Sequence, residues 1–196
     1  MGVDTTCRNL LSERRSRIAA ALNRAVETFD SFSVESFQEV MSGGLLPIAD
    51  AVGLDRIAVY SYRTSGGSMS LGQIYRWDRA ERGVSPLKDT LIMLPGNGVV
   101  ENWKAVLAEN RCVSLQWNTM TDNEKCFMSL FGARSVMLVP IFICSEFRGA
   151  VAFLDHARGQ NFSDGCEDLI NAAARLCVGA IVRNDSIGFN LLGSVA

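Results

Sequence analysis

The chain has 196 residues, of which 48% are apolar and 20% are charged, with 19 basic and 21 acidic side chains. This length suits one ordinary domain, and the apolar fraction with a formal charge of −2 excludes an intrinsically disordered chain. No basic block is present that could neutralise a run of phosphates, so nucleic acid is not an expected partner. No stretch of about 18 apolar residues is free of charge, so a membrane is not expected either.

Six cysteines are spread along the chain at wide intervals, namely Cys7, Cys112, Cys126, Cys144, Cys166 and Cys177. No pair shows the short gap of a metal knuckle, and the single histidine, His156, adds little to a ligand set. We therefore expect no metal site and interpret most of the cysteines as reduced thiols among apolar residues. Together with a polar start that does not resemble a secretory signal, this favours a cytoplasmic protein.

The first part of the chain predicts two helices followed by a β-hairpin. An amphipathic helix is expected over residues 8–29, because apolar residues recur there at coiled-coil spacing: Leu11, Ile18, Leu22, Ala25 and Phe29. A second helix is expected after its N-cap Ser33, with a break or kink near Gly43–Pro47 and an end at Gly53. The β-branched and aromatic runs Arg56–Arg63 and Met69–Trp77, separated by a glycine-rich turn, predict the hairpin.

The second part predicts alternating strands and helices. We expect, in order, a polar loop over 78–89, a strand over Leu91–Leu94, a helix from Val99 to about Glu109, a strand over Cys112–Gln116, a helix from Thr121 to Gly132, strands over Ser135–Ile143 and Phe147–Leu154, and a helix from Asp164 to about Arg183. Thr121 and Glu124 have the spacing of a capping box, which marks the start of their helix. Hairpins near both ends of the series indicate an α+β fold, in which five or six antiparallel strands form one sheet and the first and last helices share a face.

Five segments in this order make the chain resemble a GAF domain: Ala49–Tyr60, Gly72–Trp77, Trp103, Gly132–Leu154 and Asn161–Arg183. The likeness is strongest to GAF domains fused to two-component histidine kinases and cyclic-di-GMP enzymes. It implies a PAS-like central antiparallel sheet, with terminal helices on one face and a pocket closed by short helices and loops on the other. We accordingly divide the chain into a coiled-coil-like helix (1–30), a GAF domain (31–185) and a tail or linker (186–196).

Ligand-binding candidates are the aromatic and polar side chains that would surround such a pocket, because these residues supply stacking area and hydrogen-bonding tips. Alternation places Tyr60 and Tyr62 on one face of the first strand, and it groups three further candidates on one face of the second strand. The candidates are Tyr60, Tyr62, Gln73, Tyr75, Trp77, Trp103, Trp117, Cys126 and Phe131. The same side chains could instead fill the core beneath the loops.

The resemblance to GAF domains also draws attention to Cys126. It lies on the helix where bilin-binding GAF domains attach their chromophore, but Phe127 follows it where those domains typically have histidine. A buried, unmodified cysteine is therefore the preferred interpretation.

The sequence as a whole favours a regulatory sensor that binds an unidentified small molecule, with no catalysis of its own. The terminal helices would form a homodimer and relay the signal to an output such as a histidine kinase or cyclic-di-GMP enzyme. One alternative is a thiol enzyme of the free methionine sulfoxide reductase type, using Cys112 and Cys126. Another is a dimerisation or linker domain without a ligand. No cofactor can be named.

Overall fold

The computed structural model describes residues 3–30, 37–65, 68–80, 83–93, 98–143, 145–156, 162 and 167–183. Its helices and strands follow in the order α1 Val3–Asp30, α2 Phe37–Val52, β1 Arg56–Ser65, β2 Ser68–Asp78, β3 Gly83–Met93, α3 Val99–Ala108, β4 Val113–Gln116, α4 Asp122–Ser129, β5 Ser135–Ile143, β6 Glu146–Asp155 and α5 Glu167–Arg183. None of these helices has the length and apolar character needed to cross a bilayer.

The six strands form one antiparallel sheet in the order β3-β2-β1-β6-β5-β4, which confirms the predicted α+β fold. The central strands β1 and β6 pair with each other and carry side chains into two separate cores. On β6, Ala150, Ala152 and Leu154 point to one core, whereas Val151 and Phe153 point to the other. We call the alanine-bearing side the front face and the opposite side the back face.

Helices α1, α2 and α5 cover the back face. Ile18 and Phe29 of α1 share one core with Ile170 of α5, so the first and last helices lie on the same side, as predicted. Four of the five predicted seam residues of α1, beginning at Ile18, are buried inside the chain, and only Leu11 stays exposed, at 39%. For these four residues, the coiled-coil spacing therefore reflects the packing of α1 against the core of its own chain.

Helix α2 runs over Phe37–Val52 with Pro47 inside it, so a break near Gly43–Pro47 is wrong, whereas the kink stays a prediction. Gly44 has a packing reason instead: a Cβ atom there would lie 2.3 Å from Cζ of Phe29. The glycine lets α2 approach the Phe29 ring of α1 closely. Gly53 ends the helix with φ 83°, as expected. The predicted N-cap, Ser33, lies outside the described residues.

Strand β3 begins at Gly83, eight residues before its predicted start, so the predicted loop over 78–89 is largely a strand. It pairs with β2 from Asp78↔Gly83 to Ser70↔Met93 and lies at the edge of the sheet. Edge strands tolerate polar and charged residues because only one side of the backbone is paired. This polarity made the segment look like a loop.

The remaining elements agree with their predictions to within a few residues. β5 has the predicted bounds, and both hydrogen bonds of the Thr121–Glu124 capping box are present. Pro140 pairs in register with Ala150, and the register of β5 and β6 shifts between Ile141 and Phe142. The predicted start of the last helix, Asp164, lies outside the described residues.

Candidate functional site

A small cavity lies between the front face of the sheet and the helices α3 and α4. Its walls come from β1, β2, β5 and β6 below, and from α3, α4 and the turn after α4 above. The lining side chains are Tyr60, Tyr62, Leu71, Trp103, Phe127, Met128, Phe131, Val136, Leu138, Ala150, Ala152 and Leu154. They leave about 30 Å³ unfilled, which is room for about one or two water molecules.

Small side chains on β6 create the space at the floor of the cavity. Ala150 and Ala152 alternate along the strand and are almost completely buried. Gly149 brings β6 unusually close to β1, because a Cβ atom there would lie 2.0 Å from the carbonyl oxygen of Tyr60. The close approach of the two strands therefore sets the position of Tyr60 over the alanine floor.

The cover of the cavity is held by a hydrogen bond between its two helices. The indole N–H of Trp103 in α3 donates to Oε1 of Glu124 in α4 over 3.1 Å. The other carboxylate oxygen accepts from the backbone N–H and the hydroxyl of Thr121, both at 2.9 Å. Partial burial acts to raise the pKa of Glu124, but these hydrogen bonds outweigh it and hold the pKa below its usual value. The Phe127 ring packs edge-on against Trp103, with centroids 5.4 Å apart.

Tyr60 brings a buried hydroxyl to this otherwise apolar lining. Its side chain is 6% exposed, and Oη has no hydrogen-bond partner among the described residues. Burial raises its pKa well above the ordinary value, only partly offset by Arg56 and Arg76, while Asp78 raises it further. The phenol therefore stays protonated and available as a donor.

A charged trio lies on the front face beside Tyr60. Asp78 is buried and forms ion pairs with Nε of Arg56 at 2.6 Å and with Nε of Arg76 at 2.5 Å. Arg56 stands opposite Leu154, a residue of the cavity wall, in the β1–β6 register. The trio carries one more positive than negative formal charge.

Tyr62 and Phe131 also line the cavity, as predicted for residues of a pocket wall. The Phe131 ring meets Tyr60 edge-on, with centroids 6.3 Å apart, and the Tyr62 ring packs beside Phe147 at 5.2 Å. Burial raises the pKa of Tyr62 well above its ordinary value. Four predicted candidates, Tyr60, Tyr62, Trp103 and Phe131, are thus brought together.

The three candidates on β2 do not share a face, contrary to the prediction. Gln73 pairs with Tyr60 and Tyr75 pairs with Val59, so residue 74 is an extra residue that forms a β-bulge. The bulge leaves Gln73 on the front side, outside the cavity lining, and turns Tyr75 and Trp77 into the back core. Burial in that core raises the pKa of Tyr75 to about 12.

Trp117 and Cys126 lie outside the cavity lining as well. The Trp117 ring is half-buried, and the guanidinium of Arg134 stacks 4.8 Å from its centre. Cys126 is an exposed free thiol on α4, so the burial preferred from the sequence is wrong. Cys112 packs against the back core and hydrogen-bonds to Oδ1 of Asn171 in α5, so these two thiols lie on opposite sides of the sheet.

Sequence reasoning missed most of the aliphatic lining, including Leu71, Met128, Leu138 and the two floor alanines. A usable signal was present for the floor. Small residues at alternate positions of a strand leave a hollow on one face, and Ala150 and Ala152 show this pattern. Within the described part of the chain, no cluster of histidine, cysteine and acidic residues could hold a metal ion.

A helix-backed antiparallel sheet with a covered cavity on its front defines an α+β domain of the sensory type. The family model described as GAF domain matches residues 37–181, and the chain belongs to this family. The resemblance stated from the sequence is therefore confirmed.

Relatives with known roles are distant in sequence. The chain is 22% identical over 171 residues to the "Methanogenesis regulatory histidine kinase FilI" of Methanothrix harundinacea, and the match covers 87% of this chain but only 19% of that protein. A phycoerythrobilin-bound GAF domain from a cyanobacterial phytochrome superposes with a TM-score of 0.63 at 14% identity, over 86% of this chain and 96% of that one. The GAF domain of a Bacillus halodurans two-component sensor histidine kinase gives 0.50 at 13% identity, over 75% and 95%. These structural likenesses show the fold.

Proposed function

We propose that this chain is a regulatory sensor module that binds a small molecule in the front cavity. The observation that carries the proposal is the cavity itself, whose floor is formed by the sheet and whose cover is formed by two short helices. An apolar cleft with a few polar groups is the usual form of a small-molecule site. A domain of the same fold that holds phycoerythrobilin supports a small molecule as the ligand.

Binding requires the cover to move. The unfilled volume of about 30 Å³ is far below the roughly 300 to 1,000 Å³ of drug-sized ligand sites. The Trp103–Glu124 hydrogen bond joins α3 and α4, so breaking it separates the two halves of the cover. Opening is therefore part of the binding reaction, and its cost lowers the apparent affinity.

The ligand is proposed to bind without a covalent bond to Cys126. This thiol is exposed, and its side chain is not part of the lining. The thiol-enzyme alternative has no support in the geometry, because Cys112 and Cys126 lie on opposite sides of the sheet. We accordingly assign no catalytic step to this chain and place any catalysis in an attached output domain.

The signal is proposed to reach the output through the helices of the back face in a homodimer. A second copy would dock on α1 before Ile18, where Leu10 and Leu11 are 61% and 39% exposed and none of the described side chains over 8–17 is buried. The kinase relative supports a histidine kinase output, with a cyclic-di-GMP enzyme as the other candidate. A reducing, cytoplasmic setting fits the free thiol of Cys126.

The small cavity volume also favours a second candidate, a dimerisation or linker domain that binds no ligand. A sensor binds a small molecule, whereas a linker domain binds none, and this difference can be measured on the purified protein. We would denature the protein, extract small molecules for mass spectrometry, and measure melting temperature against a panel of apolar ring compounds.

Ala152→Val narrows the cavity floor, and Ala108→Val makes the same change at an exposed position of α3. A sensor shows an extracted compound or a ligand-induced rise in melting temperature in the native chain and in Ala108→Val, but a much smaller one in Ala152→Val. A linker domain shows neither effect in any of the three proteins, and that result would reject the sensor function.

A further inference from the structure

We infer that the front cavity selects a largely apolar ring compound with one carbonyl-type oxygen, which accepts a hydrogen bond from Tyr60 Oη. This inference rests on the proposed function and adds the chemical class of the ligand. It starts from the Tyr60 hydroxyl, which is buried in the lining and has no partner among the described residues. A buried hydroxyl without a hydrogen-bond partner raises the free energy of the unliganded protein. A ligand that supplies the partner therefore gains binding free energy from this hydrogen bond.

Among the polar groups of the lining, the Tyr60 hydroxyl is the most available to bind a ligand. The Trp103 indole N–H already donates to Glu124, and the second hydroxyl belongs to Tyr62, whose side chain is half-buried. Interior water usually makes about three hydrogen bonds, which this lining is poorly equipped to provide. A single acceptor oxygen on an apolar body matches the lining better.

The charges beside Tyr60 favour an acceptor rather than a donor on the ligand. Arg56 and Arg76 both pair with Asp78, and each guanidinium acts on the Tyr60 hydroxyl more strongly than the carboxylate does. A positive surrounding stabilises the partial negative charge of a carbonyl oxygen and disfavours a competing N–H or O–H group. The Phe131 ring packs edge-on against Tyr60, and the Phe127 ring packs against Phe131, so the lining suits a flat apolar body.

Acetophenone and ethylbenzene test this inference, because both are single-ring compounds of similar size and only the first has a carbonyl oxygen. Dissociation constants would be measured by NMR titration of the methionine methyl signals, since Met128 lies in the cavity wall. The variant is Tyr60→Phe, which removes Oη alone. The control is Tyr75→Phe, the same change on the back face. All measurements are repeated with Phe131→Ala. This variant removes a ring from the cavity wall and so tests binding in a larger cavity.

Tyr60→Phe should weaken acetophenone binding by about five- to tenfold and change ethylbenzene binding by less than about twofold. Tyr75→Phe should change neither. If both compounds bind and Tyr60→Phe weakens them equally or not at all, the anchoring role of Tyr60 is wrong while the binding function stands. If neither compound binds the native chain or Phe131→Ala up to its solubility, both the inference and the proposed cavity function are overturned.

Discussion

Two adjacent glycines of α2 allow a sharp test of how the back-face helices pack. A Cβ atom at Gly44 would lie 2.3, 2.5 and 2.8 Å from three atoms of the Phe29 ring, which is 1% exposed. A Cβ atom at Gly43 would meet only Cγ2 of Thr28, at 3.3 Å. The two positions share one helix, so the substitutions Gly44→Ala and Gly43→Ala differ mainly in this contact.

The expected effects have opposite signs. Glycine-to-alanine changes inside a helix stabilise by roughly 0.5 to 1 kcal/mol, whereas overpacking a close-packed core costs about 1 to 3 kcal/mol. Gly43→Ala should therefore leave the free energy of unfolding unchanged or raise it by up to about 1 kcal/mol. Gly44→Ala should lower it by about 1 to 2 kcal/mol, which corresponds to a fall of about 2 to 8 °C in melting temperature.

Urea denaturation and thermal melting of both variants measure these changes. The double variant Gly44→Ala with Phe29→Leu should lose less stability than the sum of its single changes, because the smaller side chain makes room for the new methyl group. Equal stability of Gly43→Ala and Gly44→Ala would show that α1 and α2 do not meet at Phe29, and the reasoning about the glycines would fail.

Two further predictions concern the cover and the dimer. Glu124→Gln loses the oxygen that accepts from Thr121, so it should lower the free energy of unfolding by about 0.5 to 1.5 kcal/mol at neutral pH. The pKa of Glu124 is depressed in the folded chain, so the carboxylate contributes its full stabilisation above about pH 4.3, the ordinary pKa of glutamate. This stabilisation is lost as the pH falls through the folded-state pKa. The free energies of unfolding of the native chain and Glu124→Gln, measured in urea, should therefore converge in acid. Leu11→Glu should shift sedimentation at micromolar concentration from dimer to monomer while leaving the melting temperature of the monomer unchanged, because Leu11 is outside the core. Identical sedimentation of native chain and variant would contradict docking at this part of α1, whereas Leu22→Glu is unsuitable because Leu22 is buried.

Much of the fold was predictable because its elements have strong local patterns. β5 is a continuous apolar run, and its predicted bounds are those of the structure. The capping box of α4 is a local side-chain arrangement that depends on residues three apart. β3 and the middle of α2 were mispredicted, since a polar edge strand and a glycine that admits the Phe29 ring each depend on a neighbour distant in the sequence.

The candidate site was predictable in part for a related reason. Tyr60 and Tyr62 keep their predicted face because β1 alternates regularly between them. On β2, one extra residue at position 74 reverses the alternation, so Tyr75 and Trp77 point to the back core. The position of the bulge is defined by the pairing of β2 with β1 and β3, which lies outside the local sequence.

The two-sided central strands explain how a ligand in the front could affect helices on the back. Tyr60 faces the cavity and its neighbour Val59 faces the back core, just as Ala152 is followed by Phe153. The back residues pack in one core with α1 and α5, so only one layer of strands separates the cavity from these helices. A movement of the cavity floor on ligand binding therefore acts directly on the close-packed side chains of the back core. It favours one arrangement of the helices only to the extent that the ligand binds that arrangement more tightly, and the proposed hydrogen bond to Tyr60 is a contact that can differ between the two.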